Sequence, residues 1–522
     1  MKTFFITLIF FQIFFENFSQ NPGDNLFNSP DVHYINISFP QEKYWDILTK
    51  NYKDTKDKDT NIYINADITI DSISILNVGI RLKGNSSYDH RGMKKPLKIS
   101  FNEYSPSQTF NKLKQINLNN GYLDPSMMRE KLMLDFLNEK SLPSPRCTYA
   151  AVHYNTEYIG LYKIVEEADK KFLTTHFGNN DGNLFKGDPN GTLQWKGEAQ
   201  WDYYEDYDLK TNNNKNDWDD LLNFMDVINN SSMENFKQNT DAIFNSTAFI
   251  RAWAANNLFV NLDSYFFLPH NYYLYHNETT DKLEWITWDV SVSFGVFPFL
   301  SEKRAEKIDI LYLPVQRHKH PLTYKMLEII DYRKEYLNSV CEFLYNDFTE
   351  GKLFPKIDSI AKKIRPYIEK ESKDNQMYSL NDFDKNISDG TIDKWYYDAP
   401  GLKSFITDRR NFAINRLCEL KWSCTIGESI ENSYEEILNV YPNPSVEKVN
   451  IDLKILEPES RNIEYKIVNL FGEIVFRESV KADSGNYLQT FSTDKLIPGI
   501  YILSAISGCE SYNKKIVVLK TE

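Results

Sequence analysis

Cysteine is scarce, with five in 522 residues and no C-x-x-C pair. A disulfide scaffold and a cysteine-rich zinc site are therefore both excluded. Glycine and proline number only 20 each, which rules out collagen-like and low-complexity architectures. Basic residues are outnumbered 60 to 73, giving a net charge of −13; a general nucleic-acid binder needs the opposite sign. Beyond the N-terminal segment no apolar run approaches the roughly 18 residues that span a bilayer, and no internal repeat is visible. What is present is ordinary globular material, 41% hydrophobic and 25% charged, so wholesale disorder is excluded and a sizeable core is available. The 15% aromatic content accompanies abundant Asn, Ile and Lys. AT-rich coding produces that bias unaided, so a single aromatic carries little weight.

The two ends differ from the middle. Residues 1–20 begin MKTFFITLIFFQIFF, in which Lys2 precedes an apolar stretch from Thr3 to Phe15 of the length a secretory leader uses, with Ser19 near a cleavage position. From Tyr441 short alternating strands are separated by Pro-Asn-Pro, Phe-Gly-Glu and Pro-Gly turns, the pattern of a small all-β sandwich over residues 435–522. Cys418 and Cys424 are six apart and are candidates to pair in an oxidising compartment, whereas Cys147, Cys341 and Cys509 are scattered.

The body reads as α+β, a mixed sheet followed by a helical part. VHYINIS at 32–38 and NIYINADITID at 61–71 alternate apolar and polar, as strands do, with a short helix at 41–51 between them. In IRLKGNSSYDHRGMKKPLKISF, Ile80 and Leu82 share one strand face, and Arg81 and Lys83 the other. Asp124 and Pro125 look like the start of a helix running to 139. DKKFLTTHFG reads as a helix stopped by Gly178, and residues 216–256 and 320–420 show helical periodicity.

Four groups could carry chemistry. Arg81, Lys83 and Lys98 sit on strand faces opposite apolar neighbours, where cations suit an anion such as phosphate; a solvated strand face is the plainer alternative. Asp263, with His270 and Asn271, follows the apolar run NLFVN; an Asp that orients a hydroxyl and an Asn that offers oxygen to a metal would serve phosphoryl transfer. Asp289 lies between an apolar strand and a turn at Gly295, a place for a magnesium ligand or for a turn cap. Glu166 ends the LYKIV strand and could pair with a lysine.

RLKGNSS…KKPLKISF, MMREKL, YNTEYIGLYKIVEEADKKFL, GNLFKGD, NLDSYFFLPHNYYLYHN and WDVSVSFG, in this order, resemble the CotH kinase family over residues 30–305, with a helical continuation to 425. The resemblance implies an atypical protein-kinase-like body at 30–425 that uses ATP and Mg²⁺ to phosphorylate Ser or Thr of surface proteins. It implies Lys98 on the ATP phosphates with Glu166 as ion-pair partner, although Lys94 and Lys95 are close by. It also implies Arg81 and Lys83 in the nucleotide cleft, Asp263 as the catalytic aspartate, and Asn271 and Asp289 as metal ligands. Members often carry a second acid where this chain has Ser291, which puts a two-metal site in doubt. YPNP, VNLFGEIV, LIPGIYIL and KKIVVLK resemble the C-terminal sorting domain of the Bacteroidetes type 9 secretion system. That implies a protein exported by this machinery to the cell surface or beyond. The competing class is a surface adhesion or scaffold protein, for which Trp195, Trp201, Tyr203 and Tyr204 form a candidate sugar-stacking cluster. A glycosidase using Asp263 and Asp289 finds no further support in the sequence.

Overall fold

A computed structural model describes residues 21–519 apart from 57, 59, 299–304, 395–396, 423, 425–437, 456–460, 471, 483–484 and 508–509. The leader expected at 1–20 lies outside the described residues. Among the described residues no helix is long and apolar enough to cross a membrane.

The expected first strands close into a barrel. Its strands are β1 (His33–Ser38), β2 (Ile64–Ile70), β3 (Ile73–Leu82), β4 (Leu97–Ser100), β5 (Gln115–Asn119), β6 (Cys147–Tyr154) and β7 (Glu157–Glu166). They run in the order β1-β2-β3-β4-β5-β7-β6, closed by parallel pairing of β1 with β6. The alternation seen in the sequence points Ile68, Ile80, Leu97, Ile99, Ile116, Leu118 and Ile164 inward, all nearly inaccessible in one apolar cluster.

The outer face of β5–β7 packs on the helix Arg129–Glu139, whose Leu132, Met133 and Leu137 join Tyr149, Leu161 and Val165 in a second, larger core. That core continues into a helical region that includes Asp219–Asn230, Ser246–Leu258, Ile330–Asn346, Glu350–Glu369 and Leu402–Glu419. The helix Ser246–Leu258 is buried on almost every side. A four-stranded sheet lies beside it, in the order β11-β10-β8-β9. Its strands are β8 (Leu184–Gly187), β9 (Tyr207–Leu209), β10 (Tyr272–Asn277) and β11 (Lys282–Thr287).

Several expectations shift. The helix expected at 41–51 runs Tyr44–Thr55. The helix expected from Asp124 begins at Arg129 instead, because Leu123 and Met127 take positive φ (62° and 59°) and break the path. A hairpin, Ile392–Lys394 with Tyr397–Ala399, interrupts the helical stretch after 320. Cys424 is bonded to Cys341, 83 residues away, rather than to Cys418. The two expected partners are six apart in sequence, but the helix Leu402–Glu419 carries Cys418 while Trp422 turns back onto Leu417.

The last region forms two antiparallel sheets. Leu438–Tyr441, Lys448–Ile455 and Gly485–Ser492 make one, and Arg461–Asn469, Ile474–Ala482, Gly499–Ser507 and Glu510–Val518 make the other. Val449, Ile451, Ile463, Tyr465, Ile467, Leu503 and Ile516 meet in a core of their own. The YPNP segment fastens the first strand of the region to the last. Within it, Asn443 accepts from the Val517 amide at 2.8 Å and donates to the Lys515 carbonyl at 2.6 Å.

Candidate functional site

Strand register gathers the cations. Arg81 stands opposite Lys98, and Lys98 opposite Asn117, so the three share the outer face of the barrel, with Lys83 two residues beyond Arg81. Lys83 Nζ donates to Asn117 Oδ1 at 3.0 Å. Asn117 Nδ2 in turn donates to Glu167 Oε2 at 2.7 Å, and Lys98 Nζ donates to Glu167 Oε1 at 2.7 Å. The result is a closed row of two ammonium groups, one amide and one carboxylate. Arg81 lies further along the face, where its Nε donates to the Tyr63 hydroxyl at 3.2 Å and its guanidinium covers that ring.

Lys98 is thus paired with Glu167, not with Glu166. Successive strand residues point to opposite faces. Val165 opposes Asn117, so Glu167 shares its face, whereas Glu166 opposes Ile116 and turns away. Glu166 instead accepts from Arg146 Nε at 2.9 Å, and Arg146 also holds Asp24 at 2.8 Å. The nearby lysines are engaged elsewhere: Lys94 with Glu371 at 2.7 Å, and Lys95 with the Tyr88 carbonyl at 2.7 Å.

The second half of the site comes from the loops around β10 and β11. Asp263 Oδ1 is hydrogen-bonded to His270 Nε2 at 2.7 Å. Asn271 Nδ2 donates to the Asp263 carbonyl at 2.7 Å and to its Oδ2 at 3.2 Å. With its amide hydrogens so used, Asn271 has Oδ1 to offer a ligand. The Trp288 amide donates to the Asn271 carbonyl, which sets Asp289 beside the pair. Asp289 Oδ1 accepts the Ser291 hydroxyl at 2.7 Å. Asn271, Asp289 and Val260 all take positive φ (61°, 46° and 48°). The Phe294 amide bonds to the Phe259 carbonyl, so the segments before Asp263 and after Asp289 are tied together. Left-handed residues held this way cluster where geometry is tightly prescribed.

Electrostatics link the halves. Burial, helped by the neighbouring Lys98 ammonium, pushes the Lys83 ammonium down to about 8, against the pull of Glu167 and Asp289. Burial opposes charge on Glu167, but Lys98 and the hydrogen bonds from Lys98 and Asn117 win, leaving its carboxyl at about 2. Behind this row, Lys163 lies 3.1 Å from Glu130 Oε2 and 3.5 Å from Asp124. Burial disfavours its charge, yet those two carboxylates hold the ammonium above the ordinary lysine range. Glu130 is raised by burial and by Asp289, with Lys163 pulling the other way, and it also accepts from Asn119 Nδ2 at 2.8 Å. For His270, burial lowers the imidazole pKa, and Asp263 more than reverses it.

Asn117, Glu167, Glu130 and Lys163 were not among the residues expected from sequence. The parity of Lys163, Val165 and Glu167 along β7 carried the signal for two of them. The aromatic cluster does not form one platform: Tyr203 is fully buried and Trp195 packs on the core, while Trp201 and Tyr204 are exposed. Among the described residues no three His, Cys, Asp or Glu side chains converge as a ready metal-ligand set.

Comparison with known proteins agrees with the sequence resemblance. The family described as CotH kinase protein matches residues 80–413, and the secretion system C-terminal sorting domain matches residues 439–519. The inner spore coat protein H of Bacillus subtilis (strain 168) is 30% identical over 299 residues, covering 56% of this chain and 78% of that protein. Arg81, Lys83, Lys98, Asp263, Asn271 and Asp289 all fall inside the matched span, and the chain belongs to the CotH kinase protein family, with a secretion sorting domain following the matched body.

Proposed function

We propose that the protein is a surface or secreted phosphotransferase of protein-kinase type, moving the γ-phosphate of ATP to Ser or Thr hydroxyls of surface proteins. The observation that carries this reading is the hydrogen-bonded Lys83–Asn117–Glu167–Lys98 row, near enough to Asp289 for that carboxylate to act on Lys83, together with Asn271 tied to Asp263 and to the Trp288 amide. Lys98, fixed by Glu167, and Lys83, still largely protonated at neutral pH, would meet phosphate oxygens. Asp263 would accept a hydrogen bond from the attacking hydroxyl, its carboxylate oriented by His270 and Asn271. Asp289 and Asn271 Oδ1 would hold a magnesium ion, a cation that prefers oxygen ligands, and it would supply positive charge against the phosphates. Ser291 adds a hydroxyl to Asp289 where an acid would add a second anionic ligand, which favours a single metal.

Export completes the reading. The apolar leader would direct the chain across the inner membrane, and the sorting domain would deliver it through type 9 machinery, followed by removal or exchange for an anchor. A second reading, a surface scaffold with little activity, is favoured by the exposure of Trp201 and Tyr204 (70% and 45%) and by Ser291. Incubating the full chain with Mg²⁺ and labelled ATP separates the two. Transfer to protein that is absent in Asp289→Ala supports the kinase; no transfer from either protein supports the scaffold.

A further inference from the structure

The turn between β3 and β4 connects Lys83 to Lys98 through Gly84 and residues 85–96. It is held from beneath by a segment 277 to 282 positions downstream. Past the end of Glu350–Glu369, Glu371 turns its carboxylate toward β7. Its Oε1 accepts from Lys94 Nζ at 2.7 Å and from the Leu161 amide at 2.8 Å, and both charged side chains are only 4% exposed. Asn375 repeats the bridge: its Oδ1 accepts from the Met93 amide at 2.9 Å, and its Nδ2 donates to the Ile159 carbonyl at 3.1 Å. Two glycines make room for these side chains. A Cβ on Gly92, at φ +59°, would lie 2.3 Å from Asn375 Oδ1, and one on Gly160 would lie 2.9 Å from Glu371 Oε1. Further along the turn, Asn120 Nδ2 donates to the carbonyls of Ser87 and Lys94, both at 2.9 Å, carrying the fixation toward Gly84.

We propose that Glu371 and Asn375 form a latch, positioning residues that hold the 84–96 turn, and with it the spacing of Lys83 and Lys98 at its two ends, and thereby set nucleotide affinity without touching nucleotide. The effect on nucleotide rests on the kinase reading; the effect on the turn does not. Losing the Glu371 charge leaves the Lys94 ammonium buried without a counter-charge, which drives the turn outward into water. Affinity then falls by the fraction of molecules still latched.

The test uses the full chain as wild type, Glu371→Gln and Gly160→Ala, the last crowding Glu371 and the Lys94 side chain alike, so that their pairing is disturbed without altering either residue. Amide hydrogen exchange is measured without ligand, and Mg²⁺-ATP affinity by calorimetry. In both variants the amides of 84–96 are expected to exchange roughly 10–100-fold faster while those of Tyr272–Thr287 keep their rates. ATP affinity should fall about tenfold. Unchanged exchange at 84–96 overturns the latch, as does equal acceleration throughout the molecule, which would make Glu371 a general stabiliser. A loosened turn with unchanged ATP affinity overturns the positioning role. If the wild type binds no ATP, the kinase reading fails by itself, and the exchange pattern decides the latch.

Discussion

Lys83 shows how much the site depends on single environments. Its ammonium is half-buried and is shifted down to about 8, well below an ordinary lysine near 10.5. A phosphate-binding role requires the charged form, so ATP affinity is expected to decline as pH rises through about 8. Lys83→Arg, whose guanidinium stays charged, should flatten that profile over the same range. Calorimetric affinities at pH 7 and 9 check this. His276 gives the residue-scale test of stability. Hydrogen bonding to Asp220, with Asp281 adding to it, raises its imidazole from 6.5 to about 9. A raised folded-state value means the contribution is complete below 6.5 and is lost as pH climbs toward 9. Between pH 6.5 and 8 the wild type should therefore lose stability to denaturant, and His276→Gln should lose less across that interval. Equal slopes in the two proteins would contradict the assignment.

At the scale of elements, the helix Arg129–Glu139 is the hinge-pin between barrel and helical region. Arg129 is wholly buried, donating to Asp124 Oδ1 and to Asn386 Oδ1, both at 2.8 Å. Arg129→Met strips one of two counter-charges from the buried Asp124 carboxylate, leaving Lys163 at 3.5 Å, and is expected to cost about 3 kcal/mol of stability, the lower end for a broken buried pair, read from urea unfolding of the full chain. A loss under about 1 kcal/mol, the level of an exposed pair, would show that Lys163 alone compensates the Asp124 charge. Local periodicity made many elements legible: β1, β2 and the helix stopped at Gly178 sit where alternation and capping placed them. What escaped was non-local. Nothing in His33–Ser38 announces parallel pairing with Cys147–Tyr154. Helical periodicity ran unbroken over a hairpin at Ile392–Ala399 because its strands are only three residues each. The site followed the same rule. Asp263, Asn271 and Asp289 were visible as motif residues, and the structure brings them together. Lys98's partner required knowing which of two adjacent glutamates faced Asn117, and that is a question of register.

At the scale of the whole molecule, an acidic body of the CotH kinase protein family is followed by a sorting domain with a core of its own. Removing residues 435–522 should leave the body folded and stop its arrival at the cell surface. Fractionation of the native host checks this, and normal surface display of the truncated chain would contradict the sorting role. The division of labour inside the cleft is the central claim, and ATP binding by the full chain tests it most directly. Calorimetry with and without chelator is run on the wild type, Asp263→Ala and Asp289→Ala. Binding by the wild type is expected to require the divalent ion, because phosphate and carboxylate repel each other without it. Asp263→Ala should bind ATP nearly as the wild type does while its transfer rate falls by about 10²–10⁴. Asp289→Ala should lose binding and transfer together. Metal-independent binding, or an Asp263→Ala that abolishes nucleotide affinity while Asp289→Ala preserves it, would contradict the assignment.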